Sequence, residues 1–189
     1  GIVRYGSSLV PMDEALCQVA IDLGGRPYLV YSLATKKRKI RDFDVDLIED
    51  IVFIHANDTH ENFSIVFAPL AEPTVTAPLI EGSDEVYLTG FELFEDFWVV
   101  ESRVRGLDRI EVRYYGEDER VEPIVFPEAS YAAGLGDNPE WAVTKLRLSY
   151  ESMVSPASVL DYDVASRSLT TLKVQEIPSG YDASLYVTE

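Results

Sequence analysis

The two histidines are the first residues in this chain whose type and spacing could do chemistry. His55 and His60 lie five residues apart, with Asp58 between them and Glu61 just after. Imidazole and carboxylate groups bind metals, but an i, i+5 pair around a turn follows no standard zinc arrangement. We therefore interpret both as neutral surface histidines beside a hairpin turn, and we predict no metal site.

Carboxylates are the second group that could carry chemistry. They include Glu92, Glu95, Asp96, Glu101 and the run E-D-E-R at 117–120. A pair of them could do acid–base work if one were buried and its pKa were shifted. The run at 117–120 is expected at a solvent-facing hairpin turn. The sequence holds no G-x-S-x-G nucleophile elbow, so we predict no catalytic residue.

Composition narrows the class of partner. A net charge of −17 argues against nucleic acid and anionic membranes as partners. No stretch resembles a signal peptide, and no apolar run approaches the ~18 residues that cross a membrane. The single cysteine, Cys17, excludes an internal disulfide framework and fits a reducing compartment. We therefore expect a cytoplasmic location.

The stretch D-V-D-L-I-E-D-I-V-F-I-H-A-N-D, which begins at Asp44, changes character halfway. Its first part, 44–50, predicts the start of a helix, whereas 51–56 is β-branched and aromatic and predicts a strand. Charge changes at the same place. Residues 1–50 hold seven Lys and Arg against eight Asp and Glu, but residues 51–189 hold nine against twenty-five. We infer a junction near Asp50 and Ile51.

Three twenty-residue stretches downstream of this junction share one pattern. They begin at Ile51, Phe97 and Lys145, and each has an alternating strand, a polar turn and a second alternating strand. A repeat of 40–50 residues built from hairpins is typical of β-propeller blades, because one small sheet cannot bury its faces until neighbours stack on it. The small residues of 129–136 suit a crowded inner strand.

The predicted fold is therefore mainly β, a partial β-propeller of about two and three-quarter four-stranded blades preceded by a small α+β fragment. The predicted segments are the fragment 1–50, an incomplete blade 51–80, complete blades 84–127 and 128–177, and an exit segment 178–189. Within 1–50 we expect a short helix after Pro11, a hairpin of Q-V-A-I-D-L and R-P-Y-L-V-Y-S, and the helix start at 44–50. Open sheet edges would favour self-association.

Residues 51–189 resemble the last blades of the propeller in oligopeptidase B, a cytosolic serine peptidase of the prolyl oligopeptidase family. The stretches that carry the resemblance are N-D-T-H-E-N-F-S-I-V, G-F-E-L-F-E-D-F-W-V-V-E-S and L-G-D-N-P-E-W-A-V-T-K-L-R-L-S-Y. The resemblance implies a substrate-gating propeller that caps an α/β-hydrolase domain with a Ser-Asp-His triad. That domain would follow Y-V-T-E, so we expect no activity from this segment alone.

Residues 1–50 resemble an internal fragment of imidazoleglycerol-phosphate dehydratase, a histidine-biosynthesis lyase. The motifs R-Y-G, V-P-M-D-E-A-L, D-L-x-G-R-P-Y-L-V and F-D-x-x-L-x-E occur in that order. The resemblance implies that Arg4 and Arg26 match arginines that hold a substrate phosphate, a group that a guanidinium fork suits. It also implies paired manganese ions on H-H-x-x-E motifs, which this sequence lacks, so no cofactor is expected.

Three functions follow as hypotheses. We prefer a non-catalytic fragment of a gating propeller fused to a dehydratase-like segment, with peptides or a hydrolase domain as partners. The alternatives are a phosphate-binding remnant of the dehydratase and a peptidase accessory domain that works only with a separate hydrolase domain.

Overall fold

The computed structural model of the chain describes residues 2–5, 8–11, 18–21, 29–32, 43–48, 51–57, 59–69, 75–116, 120–180, 182, 185 and 186. Within these residues the chain forms sixteen β-strands and no α-helix. No described segment is a helix with the length and apolar character needed to cross a membrane. The chain divides into two compact units, residues 1–84 and 85–189, and each is described by itself.

Two small antiparallel hairpins open the first unit. Their strands are β1 (Ile2–Tyr5), β2 (Ser8–Pro11), β3 (Gln18–Ile21) and β4 (Leu29–Ser32), with β1 paired to β2 and β3 paired to β4. The second hairpin lies where the sequence predicted one. The short helix predicted after Pro11 falls on residues 12–17, outside the described part of the chain.

The first unit also contains a four-stranded antiparallel sheet. Its strands are β5 (Phe43–Ile48), β6 (Ile51–Ala56), β7 (Ser64–Pro69) and β8 (Ala77–Ile80), hydrogen-bonded in that order. The prediction that 44–50 starts a helix is therefore wrong. So is the prediction of an incomplete blade at 51–80, because β5 provides the expected inner strand.

The reason for this error lies in an ambiguous pattern. Phe43, Val45 and Leu47 alternate with Asp44 and Asp46, which is strand periodicity inside a stretch that also fits two helical turns. Two turns of isolated helix are marginal in water. Only two residues separate the paired Ile48 and Ile51, and six residue pairs join β5 to β6. Pairing with an adjacent strand therefore overrides the local helical tendency.

The second unit contains two further four-stranded antiparallel sheets. One consists of β9 (Val86–Leu93), β10 (Phe97–Val104), β11 (Leu107–Tyr114) and β12 (Val121–Pro123). The other consists of β13 (Tyr131–Leu135), β14 (Lys145–Ser152), β15 (Ser158–Asp163) and β16 (Ser168–Val174). We call the three four-stranded sheets the first, second and third blades. The predicted fold class, a mainly β partial propeller, is confirmed.

The second and third blades share one hydrophobic core. β14 alternates strictly, so that Leu146, Leu148 and Tyr150 are buried while their neighbours are exposed. They belong to the same cluster as Val99 and Ile110 of the second blade. Each sheet buries the apolar face of the other, as the repeat argument requires.

Candidate functional site

Both histidines take structural positions in the first unit. His60 Nε2 lies 3.2 Å from Asp84 Oδ1, and its Nδ1 accepts a hydrogen bond from the Asn62 backbone N–H at 3.1 Å. His55 is 5% exposed, and its ring stacks on Phe63 at 4.4 Å. The interpretation of His55 as a surface residue is wrong, because β6 is a central strand. Among the described residues, no three His, Cys, Asp or Glu side chains come together to hold a metal.

The predicted phosphate ligands are only partly covered by the structure. Arg4 lies on β1, where it pairs with Leu9 across the hairpin. Arg26 lies outside the described residues, as do Cys17 and the acidic residues 117–119. Phosphate binding by Arg4 and Arg26 therefore stays a prediction.

A partly buried carboxylate reaches the edge of the third blade from the second. Glu101 lies on β10, and its Oε1 accepts a hydrogen bond from the Leu135 backbone N–H of β13 at 2.7 Å. Two glycines make room for it. A Cβ on Gly134 would lie 3.2 Å from Glu101 Oε1, and one on Gly90 would lie 3.8 Å from Oε2. The small residues of these strands thus admit a carboxylate between two backbones.

Asp108, at the start of β11, makes a second contact with the same edge. Its Oδ2 accepts a hydrogen bond from the Ala133 backbone N–H at 3.2 Å. Its Oδ1 accepts one from Arg103 Nε at 2.9 Å, which holds the carboxylate in place. Residues 133 and 135 of β13 point their N–H groups to the same side of the strand. Two carboxylates therefore cover the edge of β13 that faces away from β14.

Burial changes the acidity of this site. Removal from water raises the pKa of Glu101, the Leu135 N–H opposes that effect, and the negative charge of Asp108 adds to it. A carboxyl group with a raised pKa is a candidate acid or base. Here its Oε1 is already occupied by a backbone amide. We therefore interpret Glu101 as a group that closes a strand edge. By contrast, Glu95 and Asp96, also considered from the sequence, are exposed.

A second polar cluster joins the two blades near their outer strands. Glu122 of β12 is 8% exposed and accepts hydrogen bonds from Arg120 Nε at 2.7 Å and Tyr114 Oη at 3.3 Å. It also accepts one from Arg167, in the turn between β15 and β16 of the third blade. The Arg120 guanidinium lies 4.4 Å from the centre of the Tyr114 ring, a cation–π contact. The Glu122 carboxylate therefore binds two guanidinium groups, those of Arg120 and Arg167.

Neither cluster was identified from the sequence, apart from Glu101 as one carboxylate among several. Glu101 and Leu135 are 34 residues apart, and Glu122 and Arg167 are 45 residues apart. One local signal existed, namely the small residues around Gly134, which predicted a crowded strand. The identity of the group that fills that space depends on how the neighbouring blade packs.

The chain is similar to known peptidases in both sequence and structure. The chain is 35% identical over 160 residues to dipeptidyl aminopeptidase BI of Pseudoxanthomonas mexicana, covering 83% of this chain and 22% of that protein. It also resembles the solved structure of oligopeptidase B from Leishmania major, with a TM-score of 0.74 and 20% identity, over 88% of this chain and 25% of that one. The chain thus spans about a quarter or less of these relatives.

A further match concerns a shorter segment. Over 50 residues the chain is 60% identical to imidazoleglycerol-phosphate dehydratase of Citrifermentans bemidjiense, covering 26% of each sequence. The family profile of the prolyl oligopeptidase N-terminal β-propeller domain matches residues 26–175 and so begins upstream of the predicted junction at Asp50. The position of the junction stays a prediction. Over most of its length, the chain belongs to the prolyl oligopeptidase family, in the N-terminal β-propeller domain.

Proposed function

We propose that the three blades form part of a propeller wall that limits substrate access in a serine oligopeptidase, and that they perform no bond chemistry themselves. The observation that carries this proposal is the covered edge of β13. An open strand edge invites extended peptides to pair with it. Carboxylates from Glu101 and Asp108 occupy the amides that such a peptide would use. A propeller wall whose strand edge cannot pair with a peptide does not retain the substrate that passes it, which suits a gating role.

In this proposal the blades control access only, and peptide cleavage takes place elsewhere in the peptidase. In this proposal a hydrolase domain with a Ser-Asp-His triad performs the cleavage, on the same chain or on a separate one, and the blades alone are inactive. The partners are peptides and that hydrolase domain, without nucleic acid or membrane, in the cytoplasm. Where blades remain uncovered, their sheet edges are sites of self-association.

A blade exchange tests the gating role. Residues 43–177 of this chain would replace the equivalent blades of dipeptidyl aminopeptidase BI, a relative similar enough for the exchange to be practical. We expect the hybrid to cleave a short chromogenic peptide and to exclude a thirty-residue peptide, whereas a hybrid without these blades should cleave both. A hybrid that carries the blades and still cleaves both substrates equally would refute gating.

A second candidate function rests on the 50-residue match to the dehydratase. Under this alternative, Arg4 and Arg26 bind the phosphate of a small phosphoester. Among the described residues no three His, Cys, Asp or Glu side chains come together to hold manganese, so this alternative consists of phosphate binding alone. Titration with imidazole glycerol phosphate, with Arg4→Gln as the matched variant, tests it. Equal binding by both proteins, or by neither, would end this alternative.

A further inference from the structure

A groove opens between the second and third blades at their outer strands. It has a volume of about 600 Å³ and is lined by Phe126 and Pro127 on one side and by β15 and β16 on the other. The lengths of the outer strands explain it. β12 has three residues and β16 has seven, so the second blade leaves part of the facing sheet uncovered. The volume lies within the usual range for small-molecule and peptide sites.

The floor of the groove is apolar and aromatic. Leu160 and Leu169 line it together with Tyr150, whose ring stacks on Phe126 at 5.2 Å and 7°. The groove runs along β15, from Ser155 in the turn before that strand to Arg167 in the turn after it. The six residues of β15 span about 17 Å from the first to the last Cα, which leaves room for four or five residues of extended peptide.

One polar group with spare hydrogen-bonding capacity lines the groove toward its Ser155 end. Tyr150 is 5% exposed, and its hydroxyl has no hydrogen-bond partner among the described residues. Ser155 lines the groove beside it and donates a hydrogen bond to Oε1 of Glu128, a residue that does not itself line the groove. Buried polar atoms are seldom left unpaired. A peptide carbonyl in the groove can accept a hydrogen bond from the Tyr150 hydroxyl.

The Arg167 end has the opposite character. Arg167 and Arg120 both bond to the single carboxylate of Glu122, so this cluster keeps one positive charge in excess. The Arg167 side chain is 57% exposed and lines the groove, whereas Arg120 does not line it. A guanidinium at the end of an apolar channel matches a terminal carboxylate.

We propose that this groove binds the last four or five residues of an extended peptide, with apolar side chains between the blades and the terminal carboxylate on Arg167. The groove's length limits the number of residues, its floor selects apolar side chains, and Arg167 sets the direction of the chain. This site lies apart from the covered edge of β13 and does not depend on the gating proposal.

Nuclear magnetic resonance titration of the 189-residue chain tests the proposal. The probe is an N-acetylated Ala-Leu-Ala-Leu peptide with a free carboxyl end, and the control is the same peptide with a carboxyl-terminal amide. We expect shifts at residues 126–127 and 150–174. We also expect binding of the amide to be about tenfold weaker, the usual effect of losing one charge-assisted hydrogen bond.

Two variants separate recognition from stability. Arg167→Gln should remove the preference for the free carboxylate, whereas Arg120→Gln should change affinity by less than about twofold. Each variant deletes one guanidinium bonded to Glu122, so their thermal melts serve as matched controls. Tyr150→Phe should melt like the parent protein and bind the peptide a few-fold more weakly.

Several results would overturn the proposal. They are equal affinity for the free acid and the amide, equal weakening by the two arginine variants, shifts confined to other parts of the molecule, and no binding at millimolar peptide.

Discussion

Glu101 provides a direct test of how the second and third blades hold together. Its carboxylate accepts a hydrogen bond from the Leu135 N–H at 2.7 Å. Glu101→Ala removes the acceptor and leaves that amide unpaired at a covered edge. Glu101→Gln keeps an oxygen acceptor of nearly the same size and removes only the charge. Comparison of the two variants therefore separates the hydrogen bond from the charge.

The expected magnitude follows from the contact. A buried donor left without its partner costs about 1–3 kcal/mol. Removing a partly buried carboxylate returns some of that cost, because burial disfavours its charged form. We expect Glu101→Ala to lower the free energy of unfolding by about 1–2 kcal/mol, a fall in Tm of several degrees for a chain of this size. Glu101→Gln should stay within about 1 kcal/mol of the parent at pH 7.

The pH dependence of this difference has a definite sign. Burial raises the folded-state pKa of Glu101 above its ordinary value of 4.5. Above that value the unfolded chain loses its proton first, so the folded state binds more protons and stability falls as pH rises. The parent protein should therefore lose stability relative to Glu101→Gln from pH 4.5 upward, until the raised pKa is passed. Below pH 4.5 the difference should be constant.

Urea unfolding followed by circular dichroism, from pH 4 to pH 8, measures both effects. Only the difference between parent and variant is used, because other carboxyl groups titrate in the same range. If Glu101→Gln lowers the free energy of unfolding as much as Glu101→Ala at pH 7, then the hydrogen bond with the Leu135 N–H is not the source of the stability that Glu101 provides. A parent-minus-variant difference that rises with pH would contradict the sign of the pKa argument.

Three further predictions concern packing and turns. Leu148→Ala should lower the free energy of unfolding in urea by about 2–5 kcal/mol, because Leu148 is fully buried in the core shared by two blades. A decrease of less than about 1 kcal/mol would mean that the blades do not depend on that core. Gly82→Ala places a Cβ 2.3 Å from His60 Cβ and should destabilise the first unit by about 1–3 kcal/mol. Hydrogen exchange should then be faster at the backbone amides of β6 and β7, and unchanged exchange there would contradict this packing. Arg105 has a φ of +53° in a two-residue hairpin turn, a conformation that asparagine adopts more readily than arginine. Arg105→Asn should therefore raise the Tm, and a lower Tm would contradict this turn geometry.

The fold was largely predictable because a repeating pattern carries its own evidence. Strands separated by short polar turns recur at 46 and 48 residues, and a sheet so small needs neighbours. The first blade shows the limit of this reasoning. Residues 43–48 fit a helix and a strand almost equally well, and the presence of β6 as a pairing partner decided between them.

The candidate sites were harder to predict for a related reason. Glu101 was one carboxylate among several, and Glu122 and Arg167 carried no motif. Their roles come from contacts between residues 34 and 45 positions apart. Such contacts exist only after two blades have packed face to face.

The sequence by itself determined the class of structure. Alternation with period two, turn residues and a regular repeat specify antiparallel blades, because these are local properties of a chain and its solvent. Tertiary structure alone decided which strand completes the first blade, which carboxylates cover β13 and where a groove opens. The physical reason is that hydrogen-bond partners and exposed faces are properties of neighbouring sheets, and a linear pattern does not state which sheets become neighbours.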